Sequence, residues 1–271
     1  MEAPLIALLT DFGEEDFFVA SLKAVILNLN PEARIVDISH RIPSFDIESA
    51  GFVLFAAYRY FPENTIFVAI VDPGVGSKRR ILLVRTEKYF FIAPDNGVLS
   101  LALSEETVRQ VRSITNPAFF LTPASQTFEG RDKMAPAAAW LSKRTPIEAF
   151  GPAVKSIHTR KIRKARIVGG EIHGRVLYAD RFGNLITDVP AGMVRRLAAK
   201  KGKESMALFV KGKRYGGLRE SYSEAEKGEV FFLAGSLGLV EVSAREQSAA
   251  LKIGSRPGQE IKIAAIRGKR S

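Results

Sequence analysis

Two acidic residues stand where an open α/β sheet presents side chains to a ligand. Asp11 follows one apolar run in Thr10-Asp11-Phe12-Gly13, and Asp72 follows another in Val71-Asp72-Pro73-Gly74-Val75-Gly76. Beyond the carboxyl ends of parallel strands the loops diverge and helix N-termini offer free N–H groups, so a carboxylate placed there can meet a ligand. The plainer reading of each is a helix cap or turn former. Finding both at strand ends favours a site. The loop after Asp72 bends at Gly74-Val75-Gly76, where backbone can approach a ligand closely, and then supplies Lys78, Arg79 and Arg80. It has neither the glycine spacing and Lys-Ser/Thr ending of a Walker loop nor the GxGxxG fingerprint, so nucleotide phosphates are not implied. A carboxylate beside an arginine instead stays ionised and can hold water or a cationic substrate.

Other motifs are weaker. Thr127-Phe128-Glu129-Gly130-Arg131-Asp132 carries more charge than a connector needs, and Glu129 beside a glycine could face a cleft. Pro94-Asp95-Asn96-Gly97 reads as a turn, and Tyr178-Ala179-Asp180-Arg181-Phe182-Gly183-Asn184 as a hairpin turn. The histidines, His40, His158 and His173, share no metal-ligand spacing, and there is no cysteine, so a metal site is not expected. Without a G-x-S-x-G elbow a serine hydrolase is not expected either. Carboxylates and arginine are left to do the chemistry.

The elements that must position them alternate in the first half. Leu5 to Thr10, Ile35 to Ile38 and Thr65 to Val71 read as strands, Phe17 to Asn28 and Asp46 to Tyr60 as helices between them. The runs Ile81 to Thr86 and Tyr89 to Ala93 read as a hairpin added to the sheet, and Ala135 to Leu141 as a short helix. Near Gly151 to Gly170, Pro, Gly and basic residues replace that periodicity. Short β-like runs then dominate, with one helical patch at Met193 to Ala199. The expected fold is an N-terminal α/β/α domain with a mainly parallel sheet over 1–155, a linker over 156–168, and a smaller, mainly β, barrel-like domain over 169–271.

The 271 residues carry a net charge of +11, which raises nucleic acid as a partner. The basic residues cluster without interleaved aromatics, however, so they read as solvated faces and no specific nucleic-acid partner is expected. No membrane-spanning run and no secretory leader are read, which predicts a cytoplasmic protein.

Taken together, TDFGEEDFFVASLKAV (10–25), IVDISHRIPSFDIESAGFVL (35–54), VDPGVGSKRR (71–80), APDNGVLS (93–100), TFEGRDKMAPAAA (127–139), DRFGNLITD (180–188), SYSEAEKG (221–228) and AGSLGLVEVS (234–243) resemble the S-adenosyl-L-methionine hydroxide adenosyltransferases, relatives of the fluorinases and chlorinases. The resemblance covers nearly the whole chain. It implies in-line attack by water or hydroxide on the ribose 5′ carbon of S-adenosyl-L-methionine, releasing adenosine and L-methionine with no cofactor. It places a water on Asp72 and Arg79, with Glu129 where the family has histidine. It also implies that Asp11 binds the ribose hydroxyls, Asp16 and Asp180 the methionine ammonium, and Asn184 the adenine or the substrate edge. Phe45 would wall the base pocket, Ser236 would lie near the methionine carboxylate, and Glu241 would complete the set. The family implies a homotrimer whose site lies between the first domain of one subunit and the second domain of the next. The halogenating relatives lack the Asp-Arg arrangement, because a fixed anion repels halide, so hydrolysis is favoured. Glu129 leaves an alternative, a non-catalytic binder of S-adenosyl-L-methionine or adenosine. A glutamate of ordinary pKa, ~4.3, is a weaker base than neutral imidazole. Two anions around one water are expected to push one pKa upward, giving either a base or a protonated spectator.

Overall fold

In a strand, side chains alternate between the two faces, so a run that is apolar at every position is buried on both. The first unit of the chain is built on that rule. The computed structural model describes residues 4–161 and 163–266, in two compact units, Met1–Ile162 and Arg163–Ser271. The first contains β1 (Leu5–Thr10), α1 (Phe18–Leu29), β2 (Arg34–Ser39), α2 (Ile47–Ala57), β3 (Ile66–Ile70), β4 (Ile81–Thr86), β5 (Phe90–Pro94), α3 (Ser100–Leu103), β6 (Val108–Ser113) and α4 (Ala135–Ser142). Ile6, Leu8, Val68 and Ile70 face a core shared with Leu22 and Ile26 of α1 and Ala138 of α4. Ala7, Leu9, Phe67 and Ala69 face the opposite core, with Ala50 and Leu54 of α2 and Ala102 of α3. An α/β/α sandwich follows.

The sheet order is β2-β1-β3-β5-β4-β6. β1 runs parallel to β2 and β3, and β3 parallel to β5. β4 is antiparallel to β5 and β6, so the sheet is mixed, with the expected hairpin at one side. Strand β6 was not among the expected elements: its Val-Arg-Gln-Val-Arg-Ser pattern is one-third charged and exposed at one end, as an edge strand can be. Helix α2 starts where Asp46 accepts the Ser49 N–H at 3.0 Å, an N-cap that also fixes the turn before it.

The second unit contains β7 (Arg166–Val168), β8 (Glu171–Ala179), β9 (Leu185–Pro190), α5 (Ala191–Lys201), β10 (Met206–Val210), β11 (Lys213–Tyr215), β12 (Val230–Ala234), β13 (Leu239–Ala244), α6 (Ala249–Ile253) and β14 (Glu260–Ala265). The order β11-β10-β14-β8-β9-β13-β12, antiparallel throughout, curls into a barrel-like sheet. The long strand β8 makes the curl possible, pairing with β14 through residues 172–175 and with β9 from Val176 to Ala179 across a register shift between Val176 and Tyr178. Ile172, Val176, Leu208, Phe232, Val242 and Ile263 share its core. The stretch read as a linker carries β7, which pairs with β8. Among the described residues no helix is long and apolar enough to cross a membrane.

Candidate functional site

Parallel pairing of β1 and β3, with Thr10 opposite Ile70, brings Asp11 and Asp72 to the same end of the sheet. There Asp11, Phe45, Asp72 and Glu129 line one cavity of about 590 Å³, together with Phe12, Phe18 and Phe128. The three phenylalanines pack edge-on and tilted, with ring centroids 5.3 to 5.7 Å apart, and give the cavity an apolar floor.

Asp72 is held from two sides. Its Oδ1 accepts the Gly74 N–H at 3.2 Å, and its Oδ2 accepts Arg79 Nε at 2.8 Å and also Arg79 Nη2. The same Nη2 donates to Glu129 Oε2, so one guanidinium bridges both carboxylates. Glu129 Oε1 in turn accepts from Lys133 Nζ, one helical turn further on. All three bridged side chains are largely sheltered from solvent: that of Asp72 is 6% exposed, Glu129 7% and Arg79 11%. Ion pairs this sheltered hold their geometry, since each charge would be costly to leave alone. Arg80 does not compete for Asp72, because Asp95 takes its Nε at 2.9 Å. The Pro94 to Gly97 segment, expected to be only a turn, thus sorts the two arginines. It also anchors the strand end, with Asn96 Nδ2 donating to the Val71 carbonyl at 2.8 Å.

Burial alone would raise the Glu129 carboxyl, but the hydrogen bonds and charges of Lys133 and Arg79 outweigh it and hold it below the ordinary glutamate range. This corrects the expectation that two neighbouring anions push one pKa upward at this carboxylate. Lys133 supplies the second cation that the expectation lacked. Asp11 behaves in the opposite way: burial raises it, the Phe45 N–H at 2.8 Å opposes that, and the charge of Asp72 adds to it. A polar ligand group donating to Asp11 relieves this cost.

Backbone special cases mark the same region. Phe45, whose N–H serves Asp11, has φ +67°, a conformation that costs a bulky residue ~1–3 kcal/mol and leaves its ring 70% exposed at the cavity. Gly76 has φ +77°, and a Cβ there would sit 2.9 Å from the Gln126 carbonyl oxygen, so only glycine lets the Asp72 loop lie against the segment before Glu129. Glu129 itself precedes a π-helical turn, Gly130–Met134, that runs into α4. π turns are frequent at functional sites, where they re-aim side chains. Within this turn the buried Asp132 accepts Arg131 Nε at 2.6 Å and the Ser125 N–H at 2.7 Å, tying down the flanking loop.

The remaining expected residues fall elsewhere. Asp16 is exposed in the loop before α1 and is not among the residues lining the cavity. Asp180, Asn184, Ser236 and Glu241 belong to the second unit. Asp180 Oδ1 accepts the N–H groups of Phe182 and Asn184 at 2.9 and 2.8 Å, and Oδ2 accepts Asn184 Nδ2 at 2.9 Å, so the hairpin-turn reading accounts for its local contacts. Glu241 on β13 accepts Ser243 Oγ at 2.9 Å and the Tyr222 hydroxyl. Burial and then Glu241 push Tyr222 up to about 12, so it remains a donor. Ser236 lies exposed in the turn between β12 and β13. Sequence reasoning missed Lys133 and Tyr222. The four-residue spacing from Glu129 to Lys133 was a usable signal for the first; nothing local marked the second.

Residues 6–151 match the SAM hydroxide adenosyltransferase N-terminal domain, and residues 174–262 the C-terminal domain of the same family. The chain is 35% identical over 262 residues to a Thermus thermophilus protein named (R)-S-adenosyl-L-methionine hydrolase, covering 94% of this chain and 97% of that one. A Methanocaldococcus jannaschii protein of the same name is 31% identical, with 96% and 95% covered, whereas a fluorinase of an Actinoplanes species is 26% identical over 69% of this chain and 72% of its own. Among solved structures, a conserved protein of Thermotoga maritima superposes with a TM-score of 0.91 at 33% identity, covering 96% of this chain and all of that one.

Proposed function

The chain belongs to the SAM hydroxide adenosyltransferase family, and from that premise we propose that it hydrolyses S-adenosyl-L-methionine to adenosine and L-methionine. The observation that carries the chemistry is the single guanidinium of Arg79 bridging Asp72 and Glu129, both of which line the cavity. A water held there attacks the 5′ carbon. An oxygen lone pair forms the new C–O bond, the C–S bonding pair leaves with sulfur as the uncharged thioether of methionine, and one of the two protons on the attacking oxygen passes to Asp72 or to solvent, leaving the 5′ hydroxyl.

During this step positive charge moves from the sulfonium onto the attacking oxygen. Two fixed carboxylates beside that oxygen therefore stabilise the transition state more than the bound substrate, which is what accelerates a reaction. The step does not require Glu129 to take the proton. A halide would bring its own negative charge toward the same carboxylates and be repelled, so hydrolysis is favoured over halogenation.

Asp11, raised by burial, is suited to receive both ribose hydroxyls, and the exposed ring of Phe45 to cover the base. In the second unit, Asp180 and Glu241 bear no ion pair among the described residues, which fits acceptance of the methionine ammonium, and Asn184 offers an amide to the substrate edge. Asp16 and Ser236, both exposed, are assigned to the ammonium and the carboxylate of methionine. We read the assembly as a homotrimer in the cytoplasm. The exposed aromatics Phe17, Phe45 and Phe182 support an interface, and light scattering measures the subunit number.

Incubating the purified protein with S-adenosyl-L-methionine in ¹⁸O-labelled water is expected to release methionine and adenosine labelled at the 5′ oxygen. Binding without either product would establish the non-catalytic reading instead.

A further inference from the structure

We propose that Lys133 is a positioning residue: with Arg79 on one oxygen of Glu129 and Lys133 on the other, the carboxylate is fixed as a permanent anion, and hydrolysis runs independently of pH through the neutral range. The proposal rests on the hydrolytic reading above.

The geometry is a clamp. Arg79 Nη2 takes Glu129 Oε2 from the loop after β3, and Lys133 Nζ takes Oε1 from the π turn. The Gly76 N–H lies 3.5 Å from Oε2. Asp72 reaches Glu129 only through their shared guanidinium, and Asp11 occupies another part of the cavity wall. Arg131, two residues from Glu129, is committed to Asp132. Lys133 is 23% exposed and lies over the Phe120 ring at 5.5 Å, so its stem is packed and its ammonium directed. The nearby imidazole, His40, is engaged by Thr10 Oγ1 at 2.8 Å and lies 3.0 Å from Asp37, and it is not among the cavity-lining residues. Two cations thus hold one carboxylate, and among the described residues no imidazole lines the cavity. The low-lying carboxyl of Glu129 agrees with this.

The test is the dependence of kcat/KM on pH for the unaltered protein and for Lys133→Met and Lys133→Arg, with the ¹³C carboxyl titration of Glu129 followed by NMR without substrate and assigned through Glu129→Gln. The unaltered protein is expected to be flat from about pH 6 to about pH 8. Lys133→Met is expected to move the acid limb upward by about one pH unit, with the rate recovering at high pH, and Lys133→Arg to restore the flat profile. Uniform loss at every pH in Lys133→Met would overturn the proposal, because a merely structural lysine does that. So would an inflection near neutrality in the unaltered protein that Glu129→Gln removes. The NMR titration reads the clamp without turnover: a Glu129 carboxyl at or above the ordinary glutamate range sinks the proposal. A low-titrating Glu129 that rises in Lys133→Met, in a protein that releases no products, supports the clamp and overturns the hydrolytic reading alone.

Discussion

The two units hold the carboxylates proposed to meet the substrate by different means. In the first, Asp72 and Glu129 are gripped by Arg79 and Lys133, cation against anion, with little exposure. In the second, Asp180 is held by backbone N–H groups and an amide, and Glu241 by two hydroxyls, with no cation on either among the described residues. A clamped carboxylate keeps its place and charge while bonds change, which suits the reacting end. A carboxylate held only by neutral donors keeps its full negative charge available for a cation that arrives with the substrate. The difference separates residues expected to govern kcat from residues expected to govern KM.

The largest test of that separation is Asp72→Asn, which keeps the shape, removes the charge and leaves Glu129 as the remaining anion on Arg79. It is expected to lower kcat by about 10³-fold with little change in KM, as loss of a preorganised electrostatic contact does. A change confined to KM would erase the distinction. Next, Asp180→Asn and Glu241→Gln are each expected to raise KM about tenfold while leaving kcat near its starting value, read by steady-state methionine release. Tyr222→Phe takes one donor from Glu241 and leaves Ser243 in place, so a rise in KM of about threefold is expected.

The smallest effect is on stability rather than rate. Asp11 is raised in the folded state, so its ionised form costs folding free energy. That penalty is absent below the ordinary aspartate pKa and grows as pH rises through the folded value. Asp11→Asn should therefore raise Tm by about 2 °C at pH 7, with the gain gone below about pH 4, while abolishing tight adenosine binding. Equal gains at both pH values in a scanning calorimeter would show that charge is not the cause.

Much of this arrangement was legible in the residue order. Strands β1 and β3 are unbroken apolar runs, so their ends, and with them Asp11 and Asp72, could be located. Strand β6 escaped notice because its valines recur every third residue, with arginine beside each, and not every second, and β7 and β11 because three-residue strands carry no periodicity. At the site, the Asp72–Arg79 pair was legible because both lie in one loop. The bridge to Glu129 spans fifty residues, and its electrostatics depend on Lys133, whose approach is set by a π turn that no local pattern announced. The sign of the Glu129 shift was missed for that reason: the count of neighbouring anions was known, and the count of neighbouring cations was not.

The π turn also bears on how such a site can change. A π turn is an α-helix carrying one surplus residue, and each residue of an α-helix turns the chain by about 100°. Deleting one residue within Gly130–Met134 would return the segment to α register and swing Glu129 away from Arg79 while every substrate-facing side chain kept its identity. For this site, chain length is itself a heritable variable, and a single deleted codon is expected to displace the Glu129 charge without replacing that residue.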